Sequence, residues 1–247
     1  MPRQNRVMPF GDLVATPERG TFFGNRGILH DDHGRIRRAW QVRRWLLCLL
    51  EFRDRWRPPV TPGHYTGLFF LDEATGLAAG HRPCFECRRS TFNAFRAAFM
   101  VGSSGATGRM PPTAADMDNR LHGERLGPGG TKRTFAATLG ELPDGVLVTG
   151  EKLDAQAWLL WKDRLLAWSA GGYGERRPAS KGLAVEVLTP ASTVAAIRSG
   201  YVPDVHPSAD SQRRGPALAP AQPAAEHTRL PAAPASGSGP HLLPALQ

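Results

Sequence analysis

Cys84 and Cys87 are the residues whose types and spacing most directly imply chemistry in this 247-residue chain. A C-x-x-C pair on a turn ahead of a helix sets two thiolates on one side of a tight loop. Free backbone N–H groups after the turn help hold them as anions, so the pair supplies half of a tetrahedral zinc site. The other half has to come from Cys48, the one remaining cysteine, or from His30, His33, His64 and His81. His30-x-x-His33 falls on an expected hairpin turn, where both imidazoles can reach one ion. Cys48 falls in an expected strand, and the rigid Pro83 makes joint ligation by His81 and Cys84 awkward. The expected set is Cys84, Cys87, His30 and one of His33 or Cys48. Two other readings compete. One has free thiols near a helix start with the histidines solvated on their turn. The other is a thioredoxin-like redox pair, which expects a preceding strand in a βαβ context rather than a short capped helix.

The elements that must position these groups can be read from caps, breakers and periodicity. Thr21–Leu29 and Arg35–Trp40 pattern as a hairpin around the turn His30–Gly34. Arg43–Phe52 reads as a buried strand carrying Cys48, and Tyr65–Leu71 as another. Asp72 caps a short helix, Glu73–Ala79, which Gly80 closes just ahead of the cysteine turn. Ser90 or Thr91 opens the next helix, whose Phe92, Phe95 and Phe99 form one apolar face. Gly102–Arg109 reads as a flexible loop, and Thr113 caps a helix over Ala114–Arg125 with Met117 and Leu121 inward. Gly145–Thr149, Ala157–Lys162, Leu165–Ser169 and Leu183–Leu188 read as short strands. A helix then starts with Pro190 at its first position and runs to Arg198, ended by Gly200. From about Pro207 the chain is rich in Pro, Ala, Gly and Ser without periodicity and is expected to be disordered. The fold class expected is α+β. A zinc-stabilised N-terminal module (about 1–110) precedes a small sheet module with a C-terminal helix (111–205) and a Pro/Ala-rich tail (206–247).

Composition narrows the partners. The net charge is +9, and all basic residues but Lys132, Lys152, Lys162 and Lys181 are arginine. Eight arginines stand between Arg35 and Arg57 against Glu51 and Asp54. A high-GC genome explains the preference for Arg over Lys but not the excess of charge, which points to a polyanion such as nucleic acid. Three cysteines are too few for a disulfide framework, and the first residues show no apolar signal segment, so a reducing, cytoplasmic setting is expected. The longest apolar run, Trp45–Leu50, is too short to span a bilayer.

Phe69–Arg88, FFLDEATGLAAGHRPCFECR, resembles the second half of the Ada-type zinc-binding domain of proteins that repair methylphosphotriesters in DNA. In that family a Phe-rich strand leads into a short Ala-rich helix ending in Ala-Gly, followed by an aromatic residue and R-P-C-x-x-C-R-P. Phe69, Phe70, Ala79, Gly80, Arg82, Pro83, Cys84, Cys87 and Arg88 fall on this pattern, His81 takes the aromatic position, and Arg89 replaces the second proline. The resemblance implies that Cys84 and Cys87 bind Zn²⁺ and that Arg82 and Arg88 contact the DNA backbone; the basic runs themselves add Arg43, Arg44 and Arg89 as expected nucleic-acid contacts. The family's other cysteine pair, which carries the methyl acceptor, has no counterpart in this chain, where His30 and His33 stand in place of thiolates. The expectation is a zinc-dependent DNA-binding protein without alkyl-transfer chemistry. The alternatives are a nucleic-acid-processing enzyme, in which acids such as Glu73, Asp116 or Glu124 gather with histidine in a cleft, and a structural or interaction protein whose Pro/Ala tail tethers partners.

Overall fold

A computed structural model describes residues 1–53, 58–104 and 110–211. Among these residues, twelve strands and four α-helices run in the order β1 (Gln4–Val7), β2 (Leu13–Ala15), β3 (Phe22–Asn25), β4 (Leu46–Cys48), β5 (Leu68–Phe70), α1 (Glu73–Ala78), β6 (Arg82–Pro83), α2 (Arg89–Ser104) and α3 (Ala114–Arg125). They continue with β7 (Phe135–Thr138), β8 (Leu147–Thr149), β9 (Trp158–Trp161), β10 (Arg164–Ser169), β11 (Gly172–Pro178), β12 (Ala184–Val187) and α4 (Ala191–Arg198). The fold is α+β. Six strands form a mixed sheet in the order β2-β1-β5-β3-β4-β6, and six form an antiparallel sheet in the order β11-β10-β9-β8-β12-β7. None of the described helices is long and apolar enough to cross a membrane.

Local chemistry explains the helix ends. Asp72 accepts the Thr75 N–H at 2.8 Å as the cap of α1, and Gly80 adopts φ +89° two residues past its end, the left-handed conformation that lets the chain turn back into β6. Thr113 and Asp116 form a reciprocal capping box on α3. Pro190 is the cap of α4 rather than its first turn. Phe92, Phe95 and Phe99 are buried together on α2, and Phe95 meets the Tyr201 ring edge-on at 5.1 Å between centroids.

The two halves of the chain share a core. One cluster of buried residues runs from Val7, Phe22 and Leu47 through Phe95 and Met117 to Trp158, Val187 and Tyr201. Helix α1 is the joint. The Asp72 carboxylate accepts the Tyr173 hydroxyl at 2.7 Å and the His206 N–H at 3.0 Å, while Thr75 Oγ1 accepts the indole N–H of Trp168 at 2.8 Å. Glu73 accepts from Arg88 at 2.9 Å, from the Tyr201 hydroxyl at 2.5 Å and from the Asp204 N–H at 3.0 Å. Two buried carboxylates are thereby fully hydrogen-bonded, the condition under which such groups are tolerated.

Several expectations need correction. Arg35–Trp40 forms no strand; the hairpin reduces to one bridge between His30 and Ile36. The strand expected over Arg43–Phe52 is three residues long, β4. The tail is ordered at its start: Pro207–Ala209 forms a 3₁₀ turn, Ala209 is buried, and Ser208 accepts the Tyr173 N–H at 2.8 Å. The rest of the expected tail, and residues 105–109 of the expected loop, lie outside the described residues. In the second sheet, Trp158, Trp168 and Tyr173 are buried in the core.

Candidate metal centre

Strand β4 lies parallel to β6 with Leu46 opposite Arg82 and Leu47 opposite Pro83. The Cys84 N–H extends this ladder by donating to the Leu47 carbonyl at 2.8 Å. One further step of the same register sets Cys48 beside Cys84. The chain then turns, the Arg88 N–H returns to the Cys84 carbonyl at 3.1 Å, and α2 begins, which places Cys87 on the same side. The three sulfurs all lie within 4.8 Å of one another. Sulfurs bound to one tetrahedral zinc through bonds of about 2.3 Å stand about 3.8 Å apart. The cluster therefore closes on an ion with small side-chain movements, and its all-thiolate donor set suits a soft or borderline metal.

Electrostatics favour the same outcome. Hydrogen bonds from the Cys48 and Cys87 thiols, with further support from the Cys87 and Glu86 N–H groups, hold the Cys84 pKa well down. Accepting that role pushes the Cys48 thiol well up, helped by burial. One thiolate among two thiols is what a divalent cation converts to three thiolates with release of protons. Cys84 is buried, whereas Cys48 and Cys87 are partly open. The apolar side chains of Leu49, Leu50 and Phe85, next to the ligands in sequence, are exposed.

The histidines named from sequence do not join this group. His30 is buried with Nδ1 on Thr66 Oγ1 at 2.6 Å and Nε2 on the Thr61 carbonyl at 3.2 Å, so both ring nitrogens are engaged elsewhere. His33 is exposed on its turn, which Asp31 closes by accepting the His33 and Arg35 N–H groups. Among the described residues the three cysteines form the group alone, with no fourth His, Cys or carboxylate. The ladder between β4 and β6 was not legible in advance, because β6 is two residues long and contains a proline.

The arginines divide into two sets. Arg82 is fully buried and forked onto Asp118, with both N–H···O distances 2.8 Å, and Arg88 is buried against Glu73. Neither can present its guanidinium to a phosphate at the surface, so the expected contacts from Arg82 and Arg88 are corrected to internal ion pairs. Arg43, Arg44 and Arg89 are exposed, and Arg43 reaches Asn119 at 3.2 Å. Nor do Glu73, Asp116 and Glu124 converge on a cleft. Glu73 holds Arg88 and Tyr201, Asp116 caps α3, and Glu124 accepts from Arg120 and from the Ser192 hydroxyl.

Compared with protein-family models, curated proteins and solved structures, the chain matches none.

Proposed function

We propose that the protein is a zinc protein whose Cys48, Cys84 and Cys87 thiolates hold one ion, with a fourth ligand from solvent or from outside the described residues. The observation that carries this reading is the approach of three thiols from two separate segments, with Cys48 joined to the C-x-x-C pair by strand register. Three thiolates on Zn²⁺ give a centre of net negative charge, which lowers its power to ionise a bound water and favours a structural over a hydrolytic role. What the ion supplies is cross-linking: it ties β4 to the start of α2. Loading the metal-free protein with Co²⁺ tests the ligand set. Sulfur-to-cobalt charge-transfer absorption that falls on substituting each of the three cysteines supports it. The same absorption in Cys48→Ser, or its loss in His30→Gln, contradicts it.

A second reading, contact with nucleic acid, is favoured by the net charge of +9 together with the exposed Arg43, Arg44 and Arg89. In this reading the zinc centre fixes the segments that carry these arginines, consistent with the resemblance to Ada-type domains. Fluorescence anisotropy with labelled DNA and RNA tests it. Binding that weakens steeply with salt and drops in an Arg43→Ala/Arg44→Ala/Arg89→Ala variant supports it. Undetectable binding at low salt removes it.

A further inference from the structure

A second cluster of charged side chains gathers around Trp45 and the end of α1, and it is cationic. Arg26, Arg125 and His81 are fully buried, and the Lys132 ammonium is drawn inward to the Ala78 carbonyl at 2.5 Å. Both guanidinium groups lie over the Trp45 ring, Arg125 at 3.8 Å and Arg26 at 4.1 Å from its centroid. Protein carbonyls satisfy part of each group. Arg125 donates to Gly80 O at 2.9 Å and Arg43 O at 2.7 Å, and Arg26 donates to Gly11 O at 2.8 Å.

What remains unsatisfied is all of one kind. Among the described residues, Arg26 Nη2, Arg125 Nε and His81 Nδ1 are buried without a hydrogen-bond partner of good geometry, although the Gly76 carbonyl acts on the His81 ring. Arg26 donates its Nε–H to His81 Nε2 at 3.2 Å, so the imidazole proton sits on Nδ1 and that atom is a donor too. Lys132 adds further N–H bonds. The charges are as one-sided as the donors: among the described residues, the carboxylates that act on Arg26, Arg125 and Lys132 are Asp12 and Asp118, and Asp118 is already forked onto Arg82. A buried water can accept from two of these donors but leaves the charge uncompensated, and uncompensated buried charge is expensive.

We infer that the Arg26–His81–Arg125–Lys132 cluster is a binding site for a tetrahedral oxyanion of the phosphate type, taken up free or as the phosphate group of a nucleotide. Such an ion offers several acceptor oxygens to the unpaired donors and brings the charge the cluster lacks, and arginine forks and lysine are its usual ligands. Trp45 walls the site with an apolar face. Lys132 is the partly exposed member of the cluster, which makes it the edge of the site nearest solvent.

The test is calorimetric titration of the full-length protein with inorganic phosphate in buffer free of phosphate and sulfate, with chloride at matched ionic strength as the reference and a nucleoside monophosphate as a second titrant. Phosphate content of the acid-denatured protein is measured in parallel, since a retained ion would mask binding. Expected is one saturable site for phosphate, or one equivalent released on denaturation, and at least tenfold weaker binding or loss of the retained ion in Lys132→Met, a variant that gives up one hydrogen bond, to the Ala78 carbonyl. Competition by the nucleoside monophosphate at equal or higher affinity assigns the site to a nucleotide phosphate; its failure to compete assigns it to the free ion. The inference is overturned if the protein contains no phosphate and shows no heat beyond chloride, or if Lys132→Met binds as the natural protein does.

Discussion

Cys48 and Cys84 stand one step beyond the last paired residues of the parallel ladder between β4 and β6, so the sheet itself sets their thiols side by side. The proposed metal centre is in this sense an extension of strand pairing, and its loss should loosen the edge of the first sheet. We expect Cys48→Ser to abolish metal binding as fully as Cys84→Ser, because two thiolates alone do not hold a structural zinc. His30→Gln should retain the metal and lose only the hydrogen bonds to Thr66 and Thr61, a cost of about 1–3 kcal/mol in chemical denaturation.

Arg82 and Asp118 form a buried, forked ion pair. Substituting Arg82 by Leu strands the Asp118 carboxylate and should destabilise the protein by about 3–5 kcal/mol. The Arg82→Leu/Asp118→Leu double variant should recover much of that loss, because it leaves no orphaned charge. Urea denaturation of both variants checks this. A double variant as unstable as the sum of its single substitutions would contradict the pairing.

Gly80 has φ +89°, and a Cβ there would meet Arg125 Cδ at 2.5 Å. Gly80→Ala therefore combines backbone strain with displacement of a buried guanidinium. It should cost at least about 1 kcal/mol more than Gly123→Ala, where nothing lies within 4 Å of the added carbon. Thermal or urea denaturation of the pair gives the comparison.

His122 accepts from Arg125 at its Nδ1, 3.1 Å away. Burial first, and then the charges of Arg125 and Arg43, lower its pKa from 6.5 to about 4. The unfolded chain therefore takes up a proton below pH 6.5 that the folded chain refuses until about pH 4. The contribution of His122 to stability is present above pH 6.5 and is lost as the pH falls towards 4, with a slope of at most about 1.4 kcal/mol per pH unit for one proton. Comparing His122→Gln with the natural protein across this window isolates the effect. Parallel stability curves would contradict it.

The sequence was most legible where one residue type has one local use. Asp72 and Thr113 as caps, Gly80 as the left-handed stop and the Phe92/Phe95/Phe99 stripe all stand where chain chemistry requires them. The strands were harder. β6 hides behind Pro83, because long-range pairing overrides a residue that reads locally as a break. At the metal site the C-x-x-C pair could be read directly. Its partner could not be fixed, since the choice between Cys48 and the histidines depends on how β4 aligns with a two-residue strand. Arg82 and Arg88 were misread for a related reason: their partners, Asp118 and Glu73, lie at sequence distances where composition shows only charge.

The central claim is tested most directly by elemental analysis of the full-length protein purified without chelator. The account predicts one zinc per chain, lost in Cys48→Ser, Cys84→Ser and Cys87→Ser and kept in His30→Gln and His33→Gln. A metal-free protein that folds cooperatively and takes up no zinc when it is supplied would contradict it.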